Sequence, residues 1–434
     1  ENDLKKKMQI YPNSSILFNI RGAILASKNV LDEAIINYKK SIKINANYAQ
    51  AYNNLGIAFH KLNKIDVAIK NYKKALSLKK DFAEALNNLG NAYIDFDKPK
   101  DSLQYFNKAL EFNPSYAEAY NGMGAANEKL GNKNDALKNY QKATEIKPDY
   151  AEAYNSLGTL CSNLSKFDES LSNYKKAIQL KTNYEKAYNN LGNLLSNLGK
   201  FDEATNAYKQ AIKIKPDYPK AYSNLLFNLI YKTDFDLNYY LSEAKKFRLN
   251  CKTIKKLKFT YKYETNPKKL RVGFVSADFG NHPGGYFTLG LLRELRKKNF
   301  ELVAYPTIER KDELSHHFKP LFSKWSLIKK KDDENVVKQI INDGIHILID
   351  LQGHSAKNRL PIFIYKPAPV QVTWLGQGST GISEIDYFIG SNYITPKDEE
   401  KHYVEKVLRL PEISQCFTPP DFDLKIENLP AIKN

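Results

Sequence analysis

The sequence predicts an α-helical solenoid followed by a Rossmann-like α/β domain with a doubly wound parallel sheet. Two observations lead there: a fixed 34-residue period through roughly the first 230 residues, and strand-like apolar runs alternating with helical segments after residue 270. The predicted divisions are 1–230 for the repeats, 231–269 for a helical linker and 270–434 for the α/β region.

Large side chains recur every 34 positions, at Phe18, Tyr52, Leu86, Tyr120, Tyr154, Tyr188 and Tyr222, which is the tetratricopeptide period. Three residues after successive anchors stand Leu55-Gly56, Leu89-Gly90, Met123-Gly124, Leu157-Gly158 and Leu191-Gly192, where a small residue lets the two helices of a repeat approach closely. Ala68, Ala136 and Ala204 come next, then Tyr72, Phe106, Tyr140, Tyr174 and Tyr208, then Ala75, Ala109, Ala143, Ala177 and Ala211, an alternation of hole and knob. Pro114, Pro148 and Pro216 stand where the second helices should stop, because proline cannot continue a helix interior. Pro12 shares their phase, so residues 1–12 read as the tail of an earlier repeat. One such unit cannot bury its apolar face alone, so the repeats should stack around a concave binding groove. Asn54, Asn88, Asn190 and Asn224 share one repeat position on that groove. An amide carries both donors and an acceptor, so these four are expected to hold an extended polypeptide by its backbone with little sequence preference. The alternative is that they only cap or solvate helices in an Asn-rich chain, and Ile20, Gly122 and Ser156 interrupt the series.

The 34-residue phase is lost after Tyr231, although Leu237–Leu249 still reads as an amphipathic helix, and Asn266-Pro267 marks a turn. Strands are predicted over Leu270–Val275, Phe300–Tyr305, Ile345–Leu351 and Val370–Leu375, with helices over Tyr286–Lys298, Asp312–Trp325 and Asp333–Asp343. Strands joined through helices imply right-handed crossovers and a parallel sheet, in which ligands bind outside the carboxyl ends of the strands. Three glycine-bearing loops should leave those ends: 278–285, 352–355 and 376–381. One rim would then collect Asp278, Asn281, His282, Gln352, His354, Ser379 and Thr380. Such a set suits a hydroxylated ligand and supplies a candidate general base. Asp278 reads equally well as a turn or cap residue. His346 reads as a core histidine, and His316 and His317 as helix-surface residues. No G-x-S-x-G nucleophile elbow occurs.

Composition narrows the function class. With 42% hydrophobic and 26% charged residues over 434 positions, and no apolar run near the roughly 20 residues that cross a bilayer, no membrane partner is expected. The net charge of +18 suggests nucleic acid, yet the lysines are interleaved with acidic residues, and the dense runs 255–258 and 329–331 lack aromatic stacking partners. Nucleic acid is therefore not expected as a partner. Cys161, Cys251 and Cys416 form neither a zinc spacing nor a disulfide framework, which fits a reducing cytoplasm and thiols that are packed in a core or lie on the surface.

Three segments carry a family resemblance: RVGFVSADFGNHP from Arg271, GIHILIDLQGH from Gly344 and KPAPVQVTWLG from Lys366. Over about residues 270–420 the chain resembles the N-terminal catalytic lobe of the O-GlcNAc transferase and SPINDLY group with its bacterial homologues, and that family carries such repeats ahead of the lobe. The resemblance implies one lobe of a GT-B glycosyltransferase of family 41. It would be inverting, independent of metal and cofactor, and would move GlcNAc from UDP-GlcNAc to Ser or Thr of proteins. It also implies Asp278 as a catalytic proton acceptor and His282 at the sugar, with Leu375, Gly376, Gly378 and the rim residue His354 in the sugar and donor pocket. Two departures stand out: Phe247 replaces a histidine of the animal enzymes, and Gly376-Gln377-Gly378 replaces the usual Gly-Tyr-Pro. SPINDLY members use GDP-fucose, and Gly353-His354-Ser355 fits plant and bacterial relatives, so both donors remain open. A second lobe supplying the diphosphate contacts would begin where this sequence stops at Asn434, so the polypeptide alone is expected to bind donor weakly. The competing reading is a repeat scaffold with a catalytically silent α/β domain.

Overall fold

The computed structural model describes residues 2–251, 264, 266–412, 415 and 417, and the chain forms two compact units, Glu1–Asn190 and Leu191–Asn434. The first unit is built from helix pairs at the predicted period: Ser15–Ser27 on Leu31–Ile44, Ala49–Lys61 on Ile65–Leu78, Ala83–Asp95 on Pro99–Phe112, Ala117–Leu130 on Lys133–Ile146, and Ala151–Asn163 on Phe167–Leu180. Within each pair the glycine of the first helix meets an aromatic ring of the second. A Cβ added to Gly56 would lie 2.6 Å from the Tyr72 ring, and Gly22 and Gly124 meet Tyr38 and Tyr140 in the same way. The helices therefore approach to a distance that only a missing side chain permits. The tight turns inside the pairs each contain one left-handed residue, namely Asn29, Asn63, Asp97, Gly131 and Ser165, again 34 apart. Glycine, Asn and Asp occupy four of these five places, the residue types that tolerate positive φ best.

In the second unit the helices Phe201–Ile214, Pro219–Leu229 and Leu237–Asn250 precede a seven-stranded sheet of order β3-β2-β1-β4-β5-β6-β7. Its strands, β1 (Leu270–Ser276), β2 (Phe300–Pro306), β3 (Lys324–Trp325), β4 (Ile347–Asp350), β5 (Val370–Thr373), β6 (Tyr387–Ser391) and β7 (Lys406–Leu410), are all parallel. The strand order reverses direction at β1, as a doubly wound sheet requires. Helices Pro283–Lys297 and Asp333–Asn342 supply the longer crossovers. Phe274, Phe279, Leu292, Phe318, Phe322 and Trp374 form a core on this sheet.

Four elements differ most from expectation. The helix predicted over 312–325 is a single helical turn and a half, Glu313–Phe318, then a 3-10 turn and the edge strand β3. Pro320 explains the break, since it has no N–H to give and its ring obstructs the preceding turn. Strands β6 and β7 were not anticipated. Each has five residues and mixes polar with apolar side chains, so pairing of β6 with β5 and of β7 with β6, rather than local pattern, makes them strands. β5 stops at Thr373, two residues short, because Leu375 turns the chain with φ of +65°.

Candidate active site

Parallel register sets the site. Val275 pairs with Asp350 and Asp350 with Thr373, so the loops leaving β1, β4 and β5 emerge at one edge. The first loop runs into helix Pro283–Lys297, with His282 as its N-cap. Two residues from the end of β2 shape this loop. Arg310 Nε donates to the Ala277 carbonyl at 2.7 Å, and Asp312 Oδ1 accepts from the Asn281 amide at 2.9 Å. Asp278 is buried, with Oδ1 3.3 Å from His282 Nδ1 and 3.5 Å from Arg310 Nη2. Burial raises the Asp278 carboxyl above its ordinary range, while His282, Arg310 and Lys357 pull it back down. His282 is the exposed member of the pair, and its Nδ1 also lies 3.2 Å from the Gly284 amide. With a proton on Nδ1, the imidazole is held by Asp278 and its Nε2 is left as a base. With the proton on Nε2, Nδ1 accepts from Gly284 instead.

The second loop is tied to the first, since Gln352 Oε1 accepts from the Ala277 amide at 2.9 Å. Asp350 ties it to the third: its Oδ2 accepts from the Gly353 amide at 2.7 Å and from Thr373 Oγ1 at 2.8 Å. Complete burial raises the Asp350 carboxyl to about 7 despite these donors. A Cβ on Gly376 would meet the Gly353 backbone at 3.4 Å, so the two loops touch through glycine alone. Leu375 beside it is half-buried and holds a left-handed conformation that costs an ordinary residue about 1–3 kcal/mol.

The predicted rim residues thus divide. Asp278 and His282 form a pair with an accessible imidazole, and Leu375 and Gly376 are partly open on the same edge. Gln352, His354, Ser379 and Thr380 are buried, with polar atoms engaged by protein partners. Gly378 packs against the Tyr240 ring, 3.0 Å from where its Cβ would lie. His346 is a core histidine, accepting from the Arg271 amide at 3.0 Å. His316 and His317 are exposed on their short helix. Cys161 and Cys251 are buried free thiols, the latter pushed up to about 12 by burial, and Cys416 lies outside the described residues. Sequence reasoning missed Arg310, Asp312, Asp350 and Glu405. The first three stand at carboxyl ends of β2 and β4 and were open to the same rim rule. Glu405, just before the amino end of β7, had no local signal.

The groove asparagines have a structural occupation. Asn54 donates to Asn19 Oδ1 at 3.0 Å, Asn88 to Asn53 at 3.1 Å, Asn190 to Asn155 at 3.1 Å and Asn224 to Asn193 at 2.9 Å. All four remain half-buried rather than enclosed.

Residues 244–417 match the family model described as Glycosyl transferase family 41, and tetratricopeptide models match 22–63, 58–95, 81–149, 163–199 and 185–218. Over residues 244–417 the sheet domain is similar to the family 41 glycosyltransferases. Over 172 residues the chain is 33% identical to the probable UDP-N-acetylglucosamine–peptide N-acetylglucosaminyltransferase SPINDLY of Petunia hybrida, a match covering 38% of this chain and 18% of that protein. The corresponding protein named SEC from Arabidopsis thaliana is 30% identical over 170 residues, 39% of this chain and 17% of its own length. The matched segment of this chain thus spans under a fifth of these relatives. Among solved structures, a mutant of Thermobaculum terrenum O-GlcNAc transferase superposes with a TM-score of 0.63 at 26% identity, covering 70% of this chain and 59% of the other. No helix among the described residues is long and apolar enough to cross a membrane.

Proposed function

We propose that the family 41 region is the acceptor-side lobe of a protein O-GlcNAc transferase, with Asp278 and His282 as its catalytic pair. The observation that carries this is the buried, proton-attracting carboxylate of Asp278 set behind the exposed imidazole of His282 at the carboxyl edge of the sheet. In the reaction, the hydroxyl oxygen of a Ser or Thr attacks the anomeric carbon of UDP-GlcNAc from the face opposite the diphosphate. The bond from that carbon to the diphosphate oxygen breaks, and UDP leaves with the electron pair. His282 Nε2 takes the hydroxyl proton while Asp278 steadies the Nδ1 proton of the resulting imidazolium. Leu375 and Gly376 border the sugar, and Asn54, Asn88, Asn190 and Asn224 offer half-buried amides to the backbone of an extended acceptor. Buried unpaired thiols are consistent with a cytoplasmic protein.

The test is kinetic and uses the gene product carrying this chain, supplied with labelled UDP-GlcNAc and a protein acceptor. Asp278→Asn and His282→Ala should each lower kcat by about 100-fold or more with small changes in KM, the range that general-base removal gives. Full activity in both variants would overturn the catalytic assignment. Label transferred from GDP-fucose in place of UDP-GlcNAc would instead assign the fucosyl donor.

A further inference from the structure

Ser223 stands in the repeat phase of Asn19, Asn53, Asn87, Asn121, Asn155 and Asn189. Where the pattern is complete, the Oδ1 of that asparagine accepts from an asparagine 35 residues later, as in Asn54 to Asn19, Asn88 to Asn53 and Asn190 to Asn155. At Ser223 the partner comes from outside the repeats. His354, from the loop after β4, places Nδ1 3.1 Å from Ser223 Oγ, and the shorter hydroxyl leaves the room that the imidazole fills. The ring is buried, with fully buried Phe247 packed edge-on at 5.0 Å and 88°.

His354 Nε2 lies 3.0 Å from the Thr380 carbonyl oxygen, which can only accept. The ring proton therefore sits on Nε2, and Nδ1 accepts from Ser223. Burial holds this imidazole neutral by lowering its pKa to about 4. On the opposite side of the same turn, Glu405 accepts from Ser379 Oγ at 2.7 Å, from the Thr380 amide at 2.8 Å and from Thr380 Oγ1. Tyr240 of helix Leu237–Asn250 donates its hydroxyl to the Ser379 carbonyl at 3.2 Å. Gly381, with φ of +72°, passes so close to the Ala244 carbonyl that any Cβ would collide with it. Residues 378–381 are thus held from behind by two helices and a buried carboxylate.

We propose that His354 and Glu405 are positioning residues, a buried brace that locks the 375–381 turn to helices Pro219–Leu229 and Leu237–Asn250. The brace gives the turn the support needed to keep Leu375 left-handed. It also places Asn224, the neighbour of Ser223, in a fixed register with Leu375 and Gly376. This rests on the reading above in assigning those two residues to the donor sugar. His354 would act on the donor through the turn rather than by touching it.

Amide hydrogen exchange on the whole chain tests the brace, with Glu405→Gln, Ser223→Ala and His354→Leu. Glu405→Gln and His354→Leu each take a partner from the turn, and Ser223→Ala takes one from His354 behind it, so exchange over 376–382 should rise about tenfold while β1 and helix Phe201–Ile214 keep parental rates. Unchanged exchange at 376–382 in Glu405→Gln and His354→Leu overturns the proposal. A uniform rise across the unit does so too, since it means general loss of fold; Ser223→Ala, the mildest change, guards against that outcome arising from one poorly folded variant. Kinetics on the gene product separate the two readings. The brace predicts an increase of about tenfold in donor KM with acceptor KM unaltered. Faster exchange at the turn with donor KM unaltered supports the brace and sinks the assignment of Leu375 and Gly376 to the sugar.

Discussion

Asp350 and His354 lie four residues apart and respond to pH in opposite senses. His354 titrates near 4 when folded against 6.5 in the open, so between those values the unfolded chain binds a proton that the folded chain refuses, and stability falls as pH drops through that window. For Asp350 the folded value is about 7 against 3.8, so the folded chain holds a proton that the unfolded chain releases. Its contribution is therefore full below about pH 4 and is lost as pH rises to about 7, by on the order of 4 kcal/mol. Asp350→Asn keeps an oxygen for Gly353 and Thr373 but cannot ionise. Its melting temperature relative to the parent should climb between about pH 4 and pH 7 and level off above that. A difference that stays flat over that range would show that Asp350 does not ionise on this schedule.

At the scale of the element, repeat geometry overrides helix propensity. Replacing glycine by alanine inside a helix ordinarily stabilises it by about 0.5–1 kcal/mol. Gly56→Ala should instead destabilise by about 1–3 kcal/mol, because the new methyl would stand 2.6 Å from the Tyr72 ring; thermal denaturation gives the sign directly. The same geometry explains the broken asparagine series. Phe106 packs between Gly90 and Gly122, so no side chain fits at 122, and the side-chain oxygen Oδ1 of Asn87 that a donor there would meet is buried without a partner. Asn121 Oδ1 is orphaned likewise, opposite Ser156, whose hydroxyl turns back to the Glu152 carbonyl. Position 156 already carries a side chain, half-buried. Ser156→Asn should complete the rung and raise stability by about 1 kcal/mol, readable as a shifted denaturant midpoint at constant slope.

For the whole molecule, the division falls inside the repeat array rather than at its end, since residues 191–250 belong to the same compact unit as the sheet. Polar ties account for much of this. Arg248 forks onto Glu384, and the His354 and Tyr240 bonds add to that tie. Helices Pro219–Leu229 and Leu237–Asn250 should therefore open together with β1 and β4. Native-state exchange in rising denaturant should bring their protected amides onto one isotherm. Helices that merge at lower denaturant than the sheet would mean a separate cooperative unit.

Period, turn residues and strand alternation act over a few neighbours, which is why the sequence alone determined the repeats, their glycine and aromatic contacts, strands β1, β2, β4 and β5, and the edge on which Asp278, His282 and Gly376 lie. It could not determine which rim residues remain accessible. Ser223 and His354 are 131 positions apart, and Thr380 and Glu405 are 25 apart with β6 between them. Their pairing depends on where helix and sheet surfaces meet. Only the tertiary structure turned His354, Ser379 and Thr380 inward, because burying a polar group is tolerable only where its hydrogen-bond partners are brought to it, and distant chain segments brought them.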